Sequence, residues 1–347
     1  MRILITGHMG YIGPVMVREF KRAGHFGAGL DSGFFRECLT SEDEIRPDRE
    51  VIKDIRHVQT DDITGFDCIV HLAALSNDPL GEFAPELTLQ INYEASVRTA
   101  QLAKAAGVGR FIFASSCSLY GAADTWQVLA EDAPLNPVSA YAVSKVRAEA
   151  ALRELADESF TPVYMRNATA YGVSPRLRCD LVLNNLMGWA KTAARIRVMS
   201  DGTPWRPLVH IEDISRAALC AAEAPRAAVH NEAFNVGSDD GNYCVREIAE
   251  AVAQKVPGST LEIRGETTGD LRSYRVNFQK VQKRLGFRTR WTLESGAEEL
   301  AEWFDRRTET VEGFQSRRYV RLKELKHLIG EKRLSETLFW NEPLSFN

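Results

Sequence analysis

Arg2-Ile3-Leu4-Ile5-Thr6-Gly7-His8-Met9-Gly10-Tyr11-Ile12-Gly13 opens the chain, and its reading decides the fold. A nearly continuous apolar run passes straight into glycines at 7, 10 and 13, and these pass into an apolar-periodic segment over 12–22. Glycines in such a place permit a tight strand-to-helix turn. They also let backbone N–H groups of the turn, including those of Met9, Tyr11 and Ile12, approach a pyrophosphate at the positive end of a helix. Gly13 lets that helix pack closely on the sheet.

Outward from this turn the pattern repeats. Apolar runs over 26–30, 67–72, 110–114 and 162–166, with a shorter one over 50–52, read as strands buried on both faces of a parallel sheet. Helices are expected over 85–106, where Leu87, Ile91, Ala95 and Leu102 form an apolar stripe, and over 141–156. This alternation predicts an α/β fold, a Rossmann-type doubly wound parallel sheet. Beyond residue 170 the rhythm loosens. Helices are expected over 181–194, 211–223, 245–255, 293–306 and 317–329, and a loop over 202–207. The second half reads as a smaller mixed α/β C-terminal substrate domain. The expected division is 1–166 plus 203–236 for the dinucleotide and 167–202 plus 237–347 for the substrate. Arg317, Arg318, Arg321, Lys323 and Lys326 alternate with leucines and read as the solvated face of an amphipathic helix, a phosphate or partner patch being the alternative.

Composition narrows the class. The 347 residues carry 43 Lys+Arg against 47 Asp+Glu, a formal charge of −4, with 44% hydrophobic and 26% charged residues. That excludes a wholly disordered chain and supplies no bulk attraction for nucleic acid or an anionic membrane. No apolar run is long enough for a signal h-region or a membrane helix. The six cysteines form no CxxC pair, so no metal site is expected, and the reading is of reduced thiols in the cytoplasm.

Asp31 ends the second strand, 18 residues beyond Gly13. A carboxylate there accepts ribose hydroxyls and repels a 2′-phosphate, which favours NAD over NADP, although neighbouring Arg36 offers a phosphate partner. Asp54-Ile55 falls where an adenine ring would lie; an ordinary exposed turn carboxylate is the other reading of Asp54.

Tyr141 and Lys145 are four apart and share one helix face. A phenol of ordinary pKa is a poor base at neutral pH, but an ammonium and a positive nicotinamide ring nearby stabilise its anion. Lowering its pKa by about three units takes roughly 4 kcal/mol. Ser116, just beyond the strand over 110–114, stands ready to hydrogen-bond the same substrate hydroxyl. Ser116, Tyr141 and Lys145 are therefore the expected catalytic set.

Together these residues resemble the extended short-chain dehydrogenase/reductase family, in particular its nucleotide-sugar epimerases and dehydratases. The matching stations are Gly7, Gly10, Gly13, Asp31, Asp54-Ile55, His71-Leu72-Ala73-Ala74, Asn92, Ser116, Tyr141, Lys145 and the segment 166–172. The resemblance implies that Leu72, Ala73, Ala74, Asn92 and Ser115 lie along a tightly held NAD. It implies a nucleotide-diphosphate sugar as substrate, with Asn185, Leu186, Arg206, Asp270 and Arg272 around its nucleotide and diphosphate. Ser76, Asn77, Ser116, Cys117, Ser118, Asn167 and Thr169 would border the hexose. Thr169 replaces an asparagine of the UDP-galactose 4-epimerases, and Thr267 a phosphate-binding arginine, for which Arg264 or Arg272 would substitute. A homodimer across the helices 85–106 and 141–157 is also implied.

The family's 4,6-dehydratases carry Asp-Glu just after the serine; this chain has Cys117 and Ser118. Neither is a strong acid or base at neutral pH. Cys117 is left as either a base for enolisation or a small buried thiol. An epimerase acting through a transient 4-keto sugar is the expected activity. An NDP-sugar dehydrogenase, 4,6-dehydratase or ketoreductase is the alternative, and an NAD-sensing regulator the non-enzymatic one.

Overall fold

The computed structural model describes residues 1–42, 44–76, 78–122, 127–266 and 272–343. Seven strands, β1 (Arg2–Thr6), β2 (Phe26–Asp31), β3 (Arg49–Ile52), β4 (Cys68–His71), β5 (Arg110–Ser116), β6 (Thr161–Asn167) and β7 (Glu232–Val236), form one sheet in the order β7-β6-β5-β4-β1-β2-β3. Every pairing in it is parallel. The order reverses beside β1, which opens a crevice above the strand ends between β1 and β4. β7 was not expected: its run is short, and Asn235 interrupts it.

Successive side chains of a strand enter opposite cores. Ile3, Ile5, Cys68, Val70 and Ile112 pack with Met16, Val17 and Phe20 of helix α1 (Gly13–Arg22). Leu4, Ile69, Phe111 and Phe113 turn the other way, onto Ala100 and Ala103 of α2 (Ala95–Ala105) and Ala148 and Leu152 of α3 (Ala140–Arg153). This two-sided burial is why the strands read as unbroken apolar runs.

The smaller half is built on α4 (Val182–Ala193), followed in the chain by α5 (Ile211–Glu223), which returns to pack on α1. Helices α6 (Val245–Lys255) and α7 (Leu293–Asp305) join α4 around a third core. Three strands, Thr169–Tyr171, Trp205–His210 and Asn242–Cys244, form a small mixed sheet there, and Arg195–Val198 pairs with Thr260–Ile263. Helix α8 (Arg321–Gly330) and the turn after it send Leu325, Leu328, Leu334 and Leu338 into the core beneath α2 and α3.

Two expected helices differ. The one over 85–106 begins at Pro85 but widens into a π-helical turn, Gln90–Glu94, before α2. The wide turn carries Asn92, whose amide bonds both the N–H and C=O of Leu75 at 2.8 and 3.0 Å. The helix expected over 317–329 starts at Arg321, because the carbonyl of Tyr319 accepts from Cys179 N at 3.0 Å instead of propagating a helix. Nor is its basic face wholly solvated: Arg317 pairs with Glu37 and Glu324, and Arg321 is 1% exposed. Among the described residues no helix is long and apolar enough to cross a membrane.

Candidate active site

The turn after β1 is locked by its glycines. Gly7, at φ +76°, donates its N–H to Leu30 O at 2.8 Å, and a Cβ there would stand 2.7 Å from Ala73 N. A Cβ at Gly13 would meet His8 O at 2.3 Å. The turn is thus pressed against the loop after β4, and only glycine permits it. Asp31 accepts from Met9 N at 2.9 Å and Gly33 N at 2.8 Å, bracing the turn while its remaining lone pairs face the crevice.

A cavity of about 260 Å³ runs from Asp54 and Ile55, past Gly7, Gly10, Tyr11, Ile12, Gly13 and Asp31, along Leu72, Ala73, Ala74 and Ser76, to Ser115, Ser116, Ser118, Tyr141, Lys145, Asn167, Thr169 and Arg272. Residues spread over more than two hundred positions therefore line one space. At its inner end, Ser118 Oγ and Asn167 Oδ1 are buried without a hydrogen-bond partner. Orphaned buried acceptors are costly, so this end is built for a polar ligand. The glycine cradle and the Asp31 carboxylate fit a dinucleotide whose ribose carries no 2′-phosphate.

Of the expected residues, Met9, Asn92 and Cys117 brace the cavity without lining it. Met9 spends its N–H on Asp31, and Asn92 ties Leu75 to Ser144. Tyr11 reaches the wall, but its phenol donates to Gly172 O at 2.6 Å and accepts from Asn184, which joins the two halves. Cys117 is fully buried, its thiol donates to Arg166 O at 3.1 Å, and burial pushes its pKa up. Of the two readings left open for it, the buried thiol is what the packing supports. Asn77, Thr267 and Asp270 lie outside the described residues.

Asn185, Leu186 and Arg206 border a second hollow, of about 230 Å³, together with Met199 and Pro204. Arg206 donates to Trp205 O at 2.8 Å and to Arg272 O. Arg264 pairs with Glu262 at 2.9 Å and lines neither space.

Tyr141 hydrogen-bonds Ser116, and Lys145 Nζ stands 5.8 Å from the centre of the Tyr141 ring. Lys145 is 2% exposed and donates to Ala114 O at 2.7 Å. Burial pushes the Tyr141 phenol up to about 12, with the Ser116 hydrogen bond and the charges of Arg178 and Arg272 opposing the rise. Burial pulls Lys145 down to about 7, resisted by the carboxylate of Glu149. In the protein alone desolvation therefore outweighs these opposing influences, and the expected stabilisation of the phenolate calls for a positive nicotinamide ring as well as the ammonium.

Three further groups stand on this wall; sequence reasoning placed Asp78 in a polar loop at the edge of a sugar pocket and missed the other two. Arg178 is held by Asp180 at 2.8 Å and Ser76 at 2.8 Å; Asp78 pairs with Arg272 and Ser139; Tyr274 closes the inner end. The polar loop after β4 was the available signal for Asp78. Nothing local marks Arg178, whose role comes from a contact 102 positions back in the chain.

A parallel Rossmann sheet with a glycine turn, a ribose-type carboxylate and a serine–tyrosine–lysine set on one cavity defines a dinucleotide-dependent enzyme of the short-chain dehydrogenase/reductase type. A sequence model described as the NAD dependent epimerase/dehydratase family matches residues 3–237, and the chain belongs to that family. It is similar to the UDP-glucose 4-epimerase of Mycolicibacterium smegmatis, 29% identical over 318 residues, 88% of this chain and 98% of that protein. The UDP-glucose 4-epimerase of Corynebacterium glutamicum is 27% identical over 313 residues, 85% of this chain and 91% of that one. Among solved structures, MoeE5 in complex with UDP-glucuronic acid and NAD superposes with a TM-score of 0.75 at 27% identity, covering 88% of this chain and 99% of that chain.

Proposed function

We propose that the protein inverts C4 of a UDP-activated hexose through a transient 4-keto sugar. The observation that carries this reading is the chemistry of the inner end. Ser116, Tyr141 and Lys145 meet there, and Asp78, the carboxylate that lines the cavity beside them among the described residues, is already committed to Arg272 and Ser139. Elimination of a hydroxyl needs a proton donor and a base beyond the tyrosine; inversion needs neither.

Asp31, the glycine turn and Leu72–Ala74 would hold NAD. Bound there, it supplies a hydride acceptor and then donor, and a positive ring beside the phenol. Ser116 orients the C4 hydroxyl and Tyr141 takes its proton, with Lys145 sharing the resulting charge. Ser118 Oγ and Asn167 Oδ1 offer polar contacts to either orientation of the ketosugar. Asn185, Leu186, Arg206 and Arg272 are assigned to the nucleotide and its diphosphate, where a guanidinium fork suits paired phosphate oxygens.

The experiment is proton NMR of UDP-glucose and UDP-galactose incubated with the purified protein and NAD. Inversion at C4 without net NADH is expected. Release of water would instead give Asp78 an acid–base part and replace epimerisation by dehydration. Accumulating NADH would make the protein a dehydrogenase.

A further inference from the structure

We propose that Arg321, carried into the large cavity by the C-terminal helix α8, is a binding residue for a diphosphate anion, that of the dinucleotide. The proposal rests on reading the cavity as the NAD site.

Arg321 lies on the cavity wall and is 1% exposed. Its guanidinium donates to two carbonyls, Arg318 O at 3.0 Å and Arg176 O at 2.6 Å, and among the described residues it forms no ion pair. The cations around it have carboxylate partners of their own, while Glu324 Oε1, one turn along the same helix, is buried without a hydrogen bond. Arg176 pairs with Glu44 at 2.9 Å, Arg178 with Asp180 at 2.8 Å, and Arg317 with Glu324 at 2.8 Å. A guanidinium deprived of water and left beside two other arginines is unfavourable unless an anion joins it. The cavity is the direction from which one can arrive.

Position selects the anion. Arg321 stands over the ring of Phe35, 5.1 Å from its centre, and Phe35 lies four residues beyond Asp31 on the same wall. The segment after α8 continues along this end. Arg56 ties Asp54 to Thr337 O and Leu338 O, His57 stacks on Phe339 with ring centres 4.9 Å apart, and Trp340 Nε1 donates to Ser32 O at 2.7 Å. The C-terminal segment therefore closes on Asp31 and Asp54, away from the second hollow where Arg206 sits. In a dinucleotide the diphosphate adjoins the adenosine ribose, so a guanidinium at this end is placed to meet it with a fork of N–H donors. The family match ends at residue 237, so it does not reach this arginine.

The test is calorimetric titration of the full chain, stripped of nucleotide, with NAD⁺ and separately with UDP. R321Q is expected to weaken NAD⁺ binding roughly 10- to 100-fold, with R321K losing less and UDP affinity staying within about twofold. Should R321Q fail to fold, R321K carries the test: its charge remains but the fork is gone, so NAD⁺ affinity still falls several-fold. Unchanged NAD⁺ affinity, with only a lower melting temperature, would make Arg321 a carbonyl tether and overturn the proposal. A loss confined to UDP would overturn it too, assigning the residue to the sugar nucleotide. Wild-type protein that binds no NAD⁺ would remove the cofactor reading itself.

Discussion

Tyr141 shows how far one residue's chemistry depends on what surrounds it. Burial alone makes its phenolate scarcer at neutral pH than that of a phenol in water, and burial also weakens the proton affinity of Lys145. A positive ring brought by the oxidised cofactor would then tip the phenol toward its anion. Phenolate absorbance of the wild type minus that of Y141F is therefore expected to emerge at lower pH when NAD⁺ is added, and to stay put with NADH. Equal titration with both forms would remove the ring charge from the account. Y141F itself is expected to lose roughly 10²- to 10⁴-fold in turnover while still binding NAD⁺. The serine, the tyrosine and the lysine were all legible in sequence, because their spacing on one strand end and one helix face is local. Their proton affinities were not, since these follow from packing by distant residues.

At the scale of elements, His71 pins β4 to β1 and α2. Its ring bonds Thr6 Oγ1 and Ser96 Oγ, each at 2.9 Å, between Phe111 and Phe113. Burial pulls its pKa down to about 3. Above its ordinary pKa of about 6.5 both folded and unfolded chains hold it neutral. As pH falls from there toward 3, the unfolded chain takes up a proton that the folded one refuses, so stability declines by about 1.4 kcal/mol per pH unit. Denaturant unfolding at pH 5 and pH 7 should show the wild type losing about 2 kcal/mol more than H71Q. The same loss in both would place the acid sensitivity elsewhere. The strands themselves were readable because burial on both faces leaves an unbroken apolar run. The π-helical turn was not, because the force that widens it is the grip of Asn92 on Leu75, seventeen residues earlier.

For the molecule as a whole, we propose that a second copy packs against α2 and α3. Ala148 is fully buried in the chain's own core, but Ala150 on α3 is exposed. Light scattering is expected to give twice the chain mass, and A150R to halve it without lowering the melting temperature of the monomer. A wild type that scatters as a monomer would end the proposal.

What the sequence by itself determined is everything written over a few residues: the parallel sheet, the glycine turn, the carboxylate that ends β2, and the spacing of the serine, tyrosine and lysine. Tertiary structure alone decided which polar groups share a cavity. Asp78 meets Arg272, Ser76 meets Arg178, and Arg321 reaches the wall beside Phe35, across separations of 194, 102 and 286 residues. Periodicity encodes which face of an element is buried; it carries no information about which distant side chain is buried against it. For that reason Met9, Asn92 and Cys117 stand near the site yet serve to brace it, whereas the arginine at the start of α8, which reads as a solvated charge, lies inside.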